Sequence, residues 1–249
     1  MKKYLCLLVV CFALFINCKD EKDCCVFPEQ QMVTLKFTHN WNGIAITNKD
    51  FNTLKFTNQN GDKISIEKLR YLISNISFIN FKNYKLIDVN ENSENFIAIS
   101  NFTPGTYQLK FRFGFSDEDN IDGAYQDLNS VNFNVPGMLG GGYHYMQFDG
   151  KFLNTKNLES GFNYHTIRAV DNTDTNNLKF EDTSFEVDLG TIEITSNTEI
   201  EIKMNVAEWF KNPNIWNLNE LNTILMPNFE AQKMMSANGK SVFSLGEVN

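Results

Sequence analysis

The 249-residue chain is poor in positive charge, in histidine and in cysteine. Its 22 Lys and Arg stand against 30 Asp and Glu, and the formal net charge is −8. This balance predicts no nucleic-acid partner, because a phosphate backbone is bound through excess positive charge. The sequence also lacks a Gly-x-Ser-x-Gly elbow, a phosphate-binding loop and a dinucleotide fingerprint. Its 3 histidines have no serine or cysteine nucleophile beside them, so we expect that the protein is not an enzyme.

Residues 1–17 predict a secretory signal. Lys2 and Lys3 precede an apolar run from Tyr4 to Ile16, which is shorter than the roughly 20 apolar residues of a transmembrane helix. The run ends at Asn17-Cys18, and an apolar residue shortly before a cysteine resembles the lipobox of bacterial lipoproteins. We therefore expect lipidation at Cys18, which would anchor the protein to the outer membrane, facing either the periplasm or the cell surface.

Residues 18–30 predict a lipidated, flexible tether. All five residues from Lys19 to Asp23 are charged, so this stretch has no apolar surface to bury. Once the signal is removed and Cys18 is lipidated, Cys24 and Cys25 are the remaining cysteines, which excludes a disulfide framework. We expect a free or oxidised pair in the tether; a strained vicinal disulfide, a soft-metal site and lipid attachment are the alternatives.

Residues 31–249 predict one all-β domain, an antiparallel β-sandwich with one short helix near the C-terminus. Val33, Leu35 and Phe37 alternate with polar residues, which is typical of a strand with one buried face. Further short apolar runs are separated by turn sequences, as in sandwich folds. The helix is predicted at Asn205–Lys211, because Asn205 can cap its start and Asn212-Pro213 stops it.

An acidic stretch at residues 116–129 interrupts the strands and predicts a long loop. Asp117, Glu118 and Asp119 begin like a calcium-binding loop, but the alternation of ligands fails after Asp119. We interpret the stretch as a solvated turn, with a calcium site as the alternative.

The three histidines, His39, His144 and His165, all lie in predicted strands or at their ends. Residues two apart on a strand share a face, so His144 and Met146 are expected to point the same way. Imidazole suits both copper states and a thioether selects Cu(I), which indicates copper. The alternative is that each histidine is a hydrogen-bonded core or edge residue, because ligands so far apart meet only if the fold gathers them.

Several segments of the chain resemble the MbnP family of periplasmic or surface proteins. The segment from Leu69 to Ile76, which contains Tyr-Leu-Ile-Ser-Asn-Ile, is the most specific of them. The others are Phe37-Thr38-His39, Tyr84 to Asp88, Pro104 to Tyr107, Gly114-Phe115, Asn120, Gly137-Met138, Tyr143, Gly150 and Phe162-Asn163-Tyr164-His165.

This resemblance implies a copper-binding β-sandwich associated with methanobactin gene clusters. The resemblance matches His39 and His165 to the copper ligands of the family. His144 is an additional histidine outside the family pattern, and we infer that Met146 is a soft or axial neighbour of the metal. In characterised copper members a tryptophan near the metal is oxidised to kynurenine, which implies a dihaem peroxidase-like partner. The corresponding residues here, 138–142, contain no tryptophan.

The leading hypothesis is therefore a lipid-anchored envelope protein that binds copper through His39, His165, His144 and Met146, for copper capture or handling. The rival is a surface module without metal, recognising a glycan, peptide or partner protein through exposed aromatics such as Tyr143, Tyr145 and Trp216. A third hypothesis, a redox enzyme or an oxidase substrate, requires an oxidised aromatic residue.

Overall fold

The computed structural model describes residues 30–77, 84–91 and 95–249. The predicted signal at residues 1–17, the predicted lipidation site at Cys18 and the pair Cys24 and Cys25 lie outside the described residues. Among the described residues, none of the helices has the length and apolar composition that crossing a membrane requires.

The described chain is built mainly of strands, which confirms the all-β prediction. In chain order the strands are β1 (Gln31–Trp41), β2 (Ile44–Ala45), β3 (Phe56–Thr57), β4 (Lys63–Ile64), β5 (Lys68–Ser74), β6 (Tyr84–Asp88), β7 (Phe96–Phe102), β8 (Gly105–Phe113), β9 (Met146–Leu153), β10 (Glu159–Thr166), β11 (Ala169–Asp171), β12 (Lys179–Glu181), β13 (Phe185–Ile194), β14 (Thr198–Asn205) and β15 (Phe243–Val248). The α-helices are α1 (Gln126–Ser130) and α2 (Phe229–Gly239).

The strands form two large sheets. The smaller sheet has the order β15-β14-β1-β2, and β7 also pairs with β1. The larger sheet has the order β13-β8-β5-β9-β4-β3, with β6 on β5 and β10 on β9. Strands β11 and β12 form a separate ribbon. The predicted antiparallel arrangement needs one correction, because β1 pairs with β14 in parallel. Parallel neighbours need a long connection, and here residues 42–197 separate the two strands.

The core lies between the two sheets and is rich in aromatic side chains. On β1, the side chains of Val33, Leu35 and Phe37 are buried, as the alternation predicts. Phe37 contacts Tyr71 and Phe111 of the larger sheet edge-on, with ring centroids 6.5 and 6.1 Å away. These contacts confirm the sandwich, because they join side chains of opposite sheets.

One α-helix near the C-terminus is confirmed, but it does not lie at the predicted residues. Asn205 caps a helix as expected, its side chain accepting from the Ala207 amide, but Val206–Phe210 is a 3₁₀ helix. The longest described helix is α2, which was not predicted because its apolar residues do not form a clear stripe. The tertiary structure supplies its support instead: the buried Gln232 side chain accepts from the Ile167 amide and donates to the carbonyls of His165 and Leu225.

The acidic stretch contains the short helix α1 rather than a continuous loop. Two acidic side chains of the stretch accept hydrogen bonds from separate parts of the protein. Asp122 accepts from the Gly142 amide, and Asp127 accepts from the Tyr84 hydroxyl. These bonds attach the stretch to the larger sheet and to the glycine-rich segment at residues 140–142.

Candidate metal centre

His39 lies on β1 and points into the core between the two sheets. Its side chain is buried, and Nε2 is 3.0 Å from the Tyr71 hydroxyl on the larger sheet. The two rings meet edge-on, with centroids 5.7 Å apart. Burial lowers the pKa of His39 to about 3, so the ring is neutral at physiological pH.

His144 and His165 form a pair on the other face of the larger sheet. His165 lies on β10 opposite Gln147 of β9, and both side chains point away from the core. His144 precedes β9, and its ring packs edge-on against His165, with centroids 5.2 Å apart and planes at 85°. The fold therefore gathers two of the three predicted imidazoles and places His39 across the sheet from them, too far to share an ion.

The tautomer of His144 follows from its hydrogen bond. Nδ1 is 3.0 Å from the carbonyl oxygen of Phe133, and because a carbonyl only accepts, Nδ1 carries the proton. In the neutral ring Nε2 is then an acceptor. Burial lowers the pKa of His144 to about 3 and keeps the ring neutral.

Nε2 of His144 is buried and has no hydrogen-bond partner among the described residues. A buried acceptor without a partner costs about 1–3 kcal/mol. Such an atom beside a second imidazole is the nitrogen that a metal ion would use. With a metal–nitrogen bond of about 2.0 Å, two imidazole centroids around one ion lie roughly 5–6 Å apart. The pair therefore fits the requirement for two ligands of one ion.

His165 is held by a carboxylate. Its Nε2 is 2.7 Å from Oδ1 of Asp149, and its side chain keeps 16% of its surface exposed. Asp149 also accepts from the Asn163 side chain at 2.7 Å and lies 3.4 Å from the Lys68 ammonium. Burial raises the pKa of Asp149, but the hydrogen bonds from His165 and Asn163 outweigh it and bring the pKa to about 2. The group is thus a carboxylate at neutral pH.

Met146 does not share a face with His144, which corrects the expectation from strand alternation. Strand β9 begins only at Met146, and Met146 lies in the core opposite Tyr71. Tyr145 and Met146 are consecutive and both belong to the same core cluster, so the two-residue alternation is broken there. The preceding glycines, 140 to 142, all have positive φ, and they bend the chain before the strand starts. Met146 is thus no neighbour of the histidine pair.

Within the described part of the chain, no three His, Cys, Asp or Glu side chains form a ready-made metal cluster. The candidate centre therefore consists of two imidazoles with a carboxylate behind one of them. Asp149 and the Phe133 carbonyl were not among the predicted site residues. Asp149 could have been found from the hairpin, because a turn at residues 154–157 places residue 149 opposite Asn163 and diagonal to His165.

The aromatic residues assigned to the non-metal hypothesis are not exposed. Tyr143, Tyr145 and Trp216 are all fully buried. Trp41, two residues beyond His39, stacks on Phe56 with ring centroids 5.1 Å apart and donates from Nε1 to the Thr57 carbonyl. The three named aromatics therefore cannot form the proposed recognition surface, and Trp41 packs against the sheet as a core residue.

Comparisons with known proteins agree with the resemblance in the sequence. The MbnP family model matches residues 30–227. A solved structure, MbnP from Methylosinus trichosporium, superposes with a TM-score of 0.54 at 10% identity, covering 88% of this chain and 99% of that one. At this identity the match shows a shared fold. A comparison with curated proteins finds no match.

Proposed function

We propose that this chain, which belongs to the MbnP family, binds a copper ion through His144 and His165 and captures or handles copper at the cell envelope. Family membership supports the copper-related role. The observation that carries the assignment to these residues is the buried Nε2 of His144, which has no hydrogen-bond partner among the described residues, on a ring whose centroid is 5.2 Å from that of a second imidazole.

The donor chemistry favours copper over the common alternatives. Two neutral imidazoles suit Cu(I) and Cu(II), whereas magnesium and calcium prefer oxygen ligands. A structural zinc site would need four ligands, commonly cysteines. No cysteine lies in residues 31–249. Copper supplies no reaction step in this proposal; it is the cargo, and the protein residues bind and orient it.

The first test replaces each histidine separately in protein without bound metal. Wild-type protein is expected to take up one copper ion, and His165→Ala and His144→Ala are expected to weaken binding by about 100-fold or more, because even changes behind a ligand cost 10–100-fold. Affinity is measured by competition with a chromophoric Cu(I) chelator, and stoichiometry by elemental analysis.

His39 provides the matched control. His39→Gln removes the imidazole that packs against the opposite face of the larger sheet, and the glutamine side chain can still bond to Tyr71. Copper affinity should therefore stay within about 3-fold of wild type, well short of the loss expected when a ligand is removed. Thermal unfolding establishes that each variant is folded. A folded His39 variant that loses copper while the His165 variant retains it would overturn the assignment.

We further propose that Cys18 is lipidated and places this domain at the outer membrane. Cys18→Ser is expected to move the protein from the membrane fraction to the soluble fraction, because the acyl chains provide the anchoring free energy. Fractionation followed by immunoblotting measures the distribution, and intact mass of the mature wild-type protein reports the lipid. A Cys18→Ser variant that remains in the membrane fraction would contradict this anchor.

A further inference from the structure

The carboxylate of Asp149 lies behind the histidine pair, on the outward face of β9. Its Oδ1 receives two short contacts, from His165 Nε2 and Asn163 Nδ2, both at 2.7 Å. The other oxygen, Oδ2, is 3.4 Å from Lys68 Nζ. Asp149 is thus held from three sides, and its backbone belongs to the central part of the larger sheet.

We propose that Asp149 is a positioning residue that holds His165 with the proton on Nε2, so that Nδ1 is the nitrogen presented to the metal ion. The inference rests on the proposed function for the role of the pair, but the tautomer itself is a property of the metal-free protein. A carboxylate only accepts hydrogen bonds, so the contact at 2.7 Å requires the proton to lie on His165 Nε2.

The two histidines are therefore held in opposite tautomers. The Phe133 carbonyl takes the Nδ1 proton of His144 and leaves Nε2, whereas Asp149 takes the Nε2 proton of His165 and leaves Nδ1. Within the described part of the chain, each ring bonds to the protein through one nitrogen and keeps a lone pair on the other. Such outer hydrogen bonds orient ligand rings and raise their basicity in metal sites.

The side-chain amide of Gln147 also lies close to Nδ1 of His144. Its oxygen accepts from Arg70 Nε at 2.7 Å, which fixes the orientation of the amide. The NH₂ group then points to the Asn132 carbonyl at 3.3 Å and to His144 Nδ1 at 3.4 Å. Because the Phe133 carbonyl at 3.0 Å can only accept, Nδ1 of His144 carries the proton, and the 3.4 Å contact between this nitrogen and the Gln147 NH₂ joins two donors and is not a hydrogen bond.

The first experiment observes the tautomer of His165 by NMR in metal-free, ¹⁵N-labelled protein at pH 8. In the wild type we expect a directly bonded proton on His165 Nε2 that exchanges slowly with water, and an unprotonated Nδ1. In Asp149→Ala the Nε2 proton signal should disappear through exchange. Glu67→Gln is the matched control, because it removes the same charge from a residue whose amide bonds to the Asp149 carbonyl.

The second experiment measures copper affinity for the same variants. Asp149→Ala is expected to weaken copper binding 10–100-fold, Asp149→Glu to recover part of the loss, and Glu67→Gln to match the wild type. If the wild type lacks the Nε2 proton, or if Asp149→Ala retains it, the positioning role is wrong. If the tautomer shifts as expected but wild-type protein binds no copper, the proposed function fails while the hydrogen-bond assignment stands.

Discussion

Gly150→Ala is expected to destabilise the protein by about 3 kcal/mol, because the new methyl group has no space. A Cβ atom at this position would lie 2.1 Å from the Ser65 carbonyl oxygen and 2.7 Å from the Phe162 ring. The Ser65 backbone cannot move away easily, since its amide donates to the Lys151 carbonyl and its hydroxyl accepts from the Lys151 amide. The close approach of β9 to Ser65, which follows β4, therefore requires glycine at position 150.

Gly161→Ala tests whether space, rather than loss of glycine as such, causes the effect. Gly161 lies on the neighbouring strand β10, and the closest atom to an added Cβ is the Gly150 carbonyl oxygen at 4.0 Å. We expect this variant to match wild type or to gain roughly 0.4–1 kcal/mol from a less flexible unfolded chain. Urea and thermal unfolding of both variants provide the comparison, and equal losses in the two would show that the close contact at Gly150 is not the cause.

Acidification of the metal-free protein is expected to cost about 2–3 kcal/mol of unfolding free energy at pH 4.5, relative to pH 8, through His39 alone. Burial lowers the pKa of His39 to about 3 in the folded protein, whereas an unfolded histidine titrates near 6.5. Below pH 6.5 the unfolded chain therefore binds a proton at His39 that the folded protein does not bind. The stabilising contribution is complete above this pH and is lost progressively between 6.5 and 3.

The measurement compares urea unfolding of the wild type and His39→Gln from pH 8 to pH 4.5. Because glutamine does not titrate, the difference between the two unfolding free energies should shrink or reverse by about 2–3 kcal/mol over this range. Tyr71, the hydrogen-bond partner of His39, stays neutral throughout, since burial raises its pKa well above the ordinary value. Parallel pH dependences in the two proteins would contradict a buried, neutral His39.

Much of the fold was predictable from local patterns. The alternation in β1 and the cap at Asn205 both depend on residues close together in the sequence. The parallel pairing of β1 with β14 was not predictable in this way, because it joins Val33 to Thr198 and similar distant pairs. Helix α2 was missed for the same reason, since buried hydrogen bonds from Gln232 to β10 and beyond support it.

The amino-acid sequence by itself determined the family, the strand-rich fold and the side chains available for metal binding, which include three histidines and no cysteine beyond residue 25. Only the tertiary structure decided which histidines meet. An imidazole pairs with a second imidazole or lies in the core according to the face of the sheet on which it lies, and the bend before Met146 puts His144 beside His165 while His39 stays with Tyr71. The pairing of distant strands sets those positions, and no local spacing along the chain contains that information.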